Sequence, residues 1–109
     1  MDAPVMYIVR FWVAPTGHEE VFAWLDGAHG AEVLSQPGFL FIKRVKLEQK
    51  SDDGWAAYCV LYGLESREAL DNYFANKPLH DKFAMERAPF MRHLRMDRSW
   101  GTVESAMDR

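Results

Sequence analysis

Residues 5–14 read VMYIVRFWVA and are closed by Pro15-Thr16-Gly17. The run is dense in β-branched and aromatic side chains, which fit a pleated, half-buried surface, so it reads as a β-strand. Successive side chains of a strand point to opposite faces. Val5, Tyr7, Val9, Phe11 and Val13 therefore share one face, and Met6, Ile8 and Trp12 the other. A strand apolar on both faces belongs in the middle of a sheet rather than at its edge. Arg10 interrupts the pattern. A charge in such a strand is costly without a partner; either Asp97 or an anionic ligand would supply one.

Working outward, Thr16 is placed to cap a helix, with Glu19 at the capping-box position and Glu20 also suited to the first turn. The helix is expected to run to about Ser35, where Pro37-Gly38 stops it. Residues 38–48 (GFLFIKRVKLE) read as a second strand, and the turn cluster Ser51-Asp52-Asp53-Gly54 joins it as a hairpin to a third, residues 55–64. Ser66 caps a second helix, Pro78 breaks it, and LHDKFAMERAPF continues as another helical stretch. A last strand is expected over about residues 91–103, with Leu94, Met96 and Trp100 opposing His93, Arg95, Asp97 and Ser99.

The order is β-α-β-β-α-β, an α+β, ferredoxin-like arrangement in which two helices cover one face of a four-stranded antiparallel sheet. Its strand order is 4-1-3-2. The third strand is apolar on both faces like the first, and Lys43, Arg44 and Lys46 make the second more polar, as an edge should be. Two helices leave the other face open. That face, carrying residues such as Trp12, Ile8, Tyr58 and Val60 or their alternates, predicts a homodimer with sheets packed face to face.

Composition narrows the classes. The chain has 109 residues, 49% hydrophobic and 27% charged, with a net charge of -3, which suits a single domain over residues 1–109. No basic stripe points to nucleic acid and no run of about 20 apolar residues points to a membrane. The one cysteine, Cys59, excludes an internal disulfide, and without a basic leader the expected location is cytoplasmic. Seven Phe, four Trp and four Tyr exceed what one thin core needs, a first sign of a partner or a flat ligand.

Two segments carry a resemblance. FAWLDGAHGAEVLSQPGF (22–39) is similar to a helix of the form W…H…V…PGF leading into strand 2, and YCVLYGLESREALDNYF (58–74) to a strand 3 and second helix, in the dimeric α+β barrel superfamily. The likeness covers nearly the whole chain and is nearest the EthD-like and uncharacterised ferredoxin-like branches. It implies a dimer. The superfamily's repertoire spans cofactor-independent monooxygenases, cyclases, isomerases, haem-degrading enzymes and proteins without known activity.

His29 is the foremost chemical candidate. At 100° per residue it falls with Phe22, Leu25 and Val33 on one helical stripe facing the sheet, and Gly27 and Gly30 leave room beside the imidazole. It is either a general acid or base or a core histidine bonded to a strand. Tyr58 or Tyr7 would hold a developing oxyanion. Tyr7, Phe11, Phe22, Tyr62, Arg44 and His80 are candidates to contact substrate, the aromatic rings equally open to a purely packing role. His29 and Glu32 have a spacing that metal sites use, but further ligands are lacking, and no metal or cofactor is expected. There is no dinucleotide, P-loop or serine-hydrolase motif. The expected function is a cofactor-independent isomerase, cyclase, lyase or monooxygenase acting on a small hydrophobic or aromatic metabolite. The alternatives are a non-catalytic homodimeric ligand-binding or accessory module, favoured by a filled core in place of a cavity of about 300 Å3 beside His29, and a haem-degrading monooxygenase.

Overall fold

The computed structural model describes residues 2–109. Its four strands, β1 (Val5–Val13), β2 (Phe39–Lys46), β3 (Ala56–Leu64) and β4 (Leu94–Thr102), form one sheet in the order β2-β3-β1-β4. β1 pairs antiparallel with β3 from Val5↔Leu64 to Val13↔Ala56, and with β4 from Val5↔Thr102 to Val13↔Leu94. The doubly apolar strand is central, as its pattern requires. Its odd residues, Val5 to Val13, are 2–6% exposed beneath the helices, and Met6, Ile8 and Trp12 are half-buried on the open face. Arg10 also lies on the open face. Its Nε and Nη2 donate to the two Asp97 carboxylate oxygens at 3.1 and 2.8 Å.

Cross-strand partners share a face. Tyr58 pairs with Phe11 and Val60 with Val9, so both lie under the helices rather than beside Ile8 and Trp12. The open face carries Ala57, Cys59 and Leu61 instead.

The first helical segment departs from a single capped helix. Gly17, not Thr16, holds the cap position and offers no side-chain bond. α1 (His18–Trp24) and α2 (Gly30–Leu34) are separated by a widened turn, Leu25–His29, that kinks at Gly27 (φ -87°, ψ -108°). Beyond β3, Ser66 Oγ accepts from the Ala69 amide at 3.1 Å and caps α3 (Arg67–Ala75). Asn76 then starts α4 (Lys77–Arg87) by accepting from the Leu79 amide. Pro78 sits in the first turn of α4, where a missing N–H has no helical partner to lose. A 3-10 turn over Ala88–His93 delays β4 to Leu94, three residues later than the sequence pattern suggests.

The core lies between this helical layer and the sheet, with Val13, Val21, Val33, Leu64, Leu70 and Phe83 wholly enclosed. Gly38 ends the α2 connection at φ +86°, and a Cβ built there would stand 2.4 Å from the Ala69 Cβ on α3. Gly38→Ala therefore combines a left-handed backbone with an overlap against a packed helix, and should destabilise by about 2 kcal/mol or more. An unchanged urea midpoint for this variant would refute the packing described for that corner.

Candidate functional site

His29 stands at the end of the widened turn and is 9% exposed. In a regular α-helix, residues 24 and 29 would point about 140° apart. Here the Gly30 amide bonds the Leu25 carbonyl, a five-residue span characteristic of a π-turn. The extra residue brings Trp24 against His29, their rings stacked with centroids 3.9 Å apart and planes 25° apart. Trp24 is held in turn by its Nε1, which donates to Glu86 Oε1 on α4 at 3.1 Å. Phe83 presents its ring edge-on to the imidazole at 4.4 Å.

The glycines serve this turn more than they empty a wall. Gly27 has nothing within 4 Å of where a Cβ would be, whereas a Cβ on Gly30 would come 3.0 Å from the Leu25 oxygen that closes the turn.

Burial pushes the His29 pKa down to about 4, and the Arg87 charge adds to the effect against the opposing pull of Glu86 and Glu32. The imidazole is neutral near pH 7. Its Nδ1 is buried with no hydrogen-bond partner. Glu32 is not available to it as a metal-binding companion, because the Glu32 carboxylate takes the Lys82 ammonium at 2.5 and 2.7 Å.

His29 borders two spaces. An inner cavity of about 50 Å3 lies between the helices and β1, β3 and β4, and an outer cleft of about 290 Å3 opens between the widened turn and β2. Leu25, His29, Val60 and Tyr62 line both. Of the residues singled out in the sequence, Tyr7, Phe11, His29, Tyr62 and His80 meet around the inner cavity. Arg44 lies at the outer cleft, where it pairs with Asp26 at 2.8 Å and covers the Phe22 ring. Tyr58 and Phe22 line neither space. Tyr58 stacks on the far side of Phe11 at 5.0 Å, with Phe22 edge-on to it at 5.2 Å. Tyr58 and Tyr62 are four positions apart on β3, about 13 Å along the sheet.

The inner cavity also gathers residues that the sequence reading passed over. Tyr73 from α3 closes over Tyr7, with centroids 6.1 Å apart, while Tyr7 stacks on its cross-strand partner Tyr62 at 5.3 Å. Burial raises the pKa of all three phenols, and the Arg98 guanidinium beside Tyr7 pulls the other way. They are hydroxyl donors at neutral pH. His80 Nε2 donates to the Tyr73 carbonyl at 2.7 Å, fixing its tautomer. Arg87, at the end of α4, and Arg98, on β4, complete one end of the cavity. Arg98 was legible in principle: it shares the strand parity of Leu94, Met96 and Trp100.

The architecture is that of a ferredoxin-like α+β domain with an aromatic cavity under the helices. The chain belongs to the family described as "Domain of unknown function (DUF4286)", whose model matches residues 4–93. No curated protein sequence matches it. Among solved structures it is similar to SnoaB, a cofactor-independent oxygenase from Streptomyces nogalater, at 20% identity and TM-score 0.60, covering 96% of this chain and 97% of that one. An ethyl tert-butyl ether d (EthD) family protein from Bacillus halodurans matches at 13% identity and TM-score 0.58, covering 87% and 96%. A dimeric ferredoxin-like protein from an uncultured marine organism matches at 12% identity and TM-score 0.64, covering 96% and 99%. These likenesses show the fold.

Proposed function

We propose that the chain is a cofactor-independent enzyme that removes a proton from a small, flat, hydrophobic or aromatic metabolite. The observation that carries this reading is a neutral imidazole with an unpartnered nitrogen at the junction of the inner cavity and the outer cleft. In the proposed step, His29 takes the proton from an acidic C–H or O–H of the ligand. The electron pair stays on the ligand as an enolate or phenolate. Tyr7, Tyr62 and Tyr73, kept protonated by burial, donate hydrogen bonds to the oxygen that gains charge. Isomerases, cyclases and cofactor-independent oxygenases share this opening step, and the printed description of SnoaB supports the type. The working form is a homodimer through the open sheet face, where Met6, Ile8, Trp12, Phe41 and Leu61 remain partly exposed. The dimeric ferredoxin-like neighbour supports this.

The test is α-proton exchange into D2O, followed by NMR, for a panel of planar 1,3-dicarbonyl and hydroxyaromatic compounds. The wild type should accelerate exchange for members of the panel, and His29→Ala should lose about 100-fold to 10,000-fold of that acceleration while remaining dimeric by light scattering. Exchange untouched by the substitution would remove His29 as the base. The small inner cavity favours a second reading, a dimeric binding module, for which panel members bind and no exchange is accelerated. A haem-degrading role draws no support from an inner cavity of about 50 Å3.

A further inference from the structure

We infer that the end of the inner cavity bounded by Arg87, Arg98 and Tyr7 is a carboxylate site, and that the ligand of this protein is a flat apolar carboxylate. The inference rests on the reading that the cavity beside His29 takes a ligand, and it names that ligand's class.

Arg87 and Arg98 reach the same cavity from different elements, the end of α4 and the middle of β4. Unlike four of the other six arginines, they have no acidic partner among the described residues, and they alone among the unpaired arginines line the cavity. Arg10 is paired with Asp97, Arg44 with Asp26, Arg67 with Asp71 and Arg95 with Asp53. Among the described residues, neither Arg87 nor Arg98 has a carboxylate within 4.0 Å. Their sequence neighbours cannot serve. Glu86 accepts from Trp24 at one oxygen and has the Lys82 ammonium 4.0 Å from the other, and Asp97 points to the opposite face of the sheet, where it is held by Arg10.

Two like charges, one of them half-buried, are thus brought together without a counter-ion. That arrangement is unfavourable in the empty protein and is relieved by an anion. The remaining polar groups at this end are the Tyr7 and Tyr73 hydroxyls, both protonated donors at neutral pH. A set made of guanidinium and phenol donors suits an anion and rejects a cation. The planar guanidinium fork matches the two oxygens of a carboxylate, and the narrow inner cavity suits a planar head better than a tetrahedral dianion. Leu94, Met96 and the Tyr7–Tyr62 stack provide apolar walls beside the carboxylate, and the rest of the ligand, too large for about 50 Å3, extends into the outer cleft of about 290 Å3. A carboxylate anchored here would direct the ligand's body along the cavity toward His29 and the outer cleft.

Calorimetric titration of the full-length chain with 2-naphthoate, its neutral isostere 2-naphthamide and 2-naphthyl phosphate tests the assignment. 2-Naphthoate should bind about tenfold or more tightly than 2-naphthamide. Arg98→Gln, a change at an exposed edge position, should weaken 2-naphthoate by about tenfold or more and leave 2-naphthamide unchanged, and Arg87→Gln should do the same. Circular dichroism verifies that each variant is folded. Equal affinities for acid and amide, or an Arg98→Gln variant that binds the acid normally, would overturn the carboxylate site while leaving the proposed role of His29 standing. Preference for the phosphate would overturn the assigned ligand class. Binding of none of the three up to millimolar concentration would overturn both the site and the reading on which it rests.

Discussion

Acidification from about pH 7 to about pH 4 should remove about 3 kcal/mol of stability through His29 alone. Enclosure by Trp24, Phe83 and the cavity wall is the main reason that its pKa falls from 6.5 to about 4, with the Arg87 charge acting in the same direction and Glu86 and Glu32 against it. Between those two values the unfolded chain binds a proton that the folded chain does not. Protonation therefore favours the unfolded state as the pH falls through that window, and the contribution is fully present only above about 6.5. Carboxylates titrate nearby, so the informative quantity is a difference. Urea midpoints of the wild type and of His29→Gln should converge as the pH is lowered toward 4 from a wider separation at neutral pH. Parallel pH profiles for the two proteins would show that the imidazole is not held neutral by the fold. The same property bears on the proposed chemistry. A histidine with so low a pKa is a free base throughout the physiological range, but a weak one. It needs negative charge on the ligand to hold the proton it takes.

The sheet was legible because its signals are local. Period-two alternation in residues 5–13, the Ser51–Gly54 turn and the Ser66 cap each decide one step of the topology, and each is found where its chemistry requires. The Arg10–Asp97 pair was legible too, because an unpartnered charge in a central strand demands an answer. The cavity was less so. A helical wheel assumes 3.6 residues per turn, and the widened turn at Leu25–His29 breaks that assumption where the site is built. No wheel places Trp24 on His29. Tyr58 shows the complementary limit. Strand parity correctly gives it the same face as Tyr62, but parity says nothing of distance along the strand, and Phe11 stands between it and the cavity. Arg87 falls outside the pattern for another reason: it ends a helix whose apolar positions are few, and only the tertiary fold brings it to Arg98.

Phe83→Ala should be among the most damaging single substitutions outside the backbone, at about 3–5 kcal/mol. Phe83 is the largest wholly enclosed side chain, and it reaches from α4 to contact His29 with Trp24 and His80 close by at ring separations of 6.5 and 6.1 Å. Removing the ring loses its transfer free energy and leaves a hole continuous with a cavity that already exists, so collapse of the neighbours cannot fill it cheaply. A domain of this size has about 5–15 kcal/mol to lose, and the urea midpoint should fall accordingly. The hole offers a second measurement. An apolar hole left by a deleted ring takes up small aromatic molecules, and a ligand bound only by the folded state raises its stability. Benzene should therefore raise the melting temperature of Phe83→Ala more than that of the wild type. His29 would also lose the wall that dehydrates it, so its pKa should return toward 6.5 and the acid sensitivity predicted above should shrink in the same variant. A variant that keeps the wild-type midpoint, ignores benzene and retains the full pH response would show that Phe83 does not support the imidazole as its position implies. Stability, ligand uptake and histidine titration thus respond together because one enclosed ring fills the core, lines the cavity and covers the imidazole.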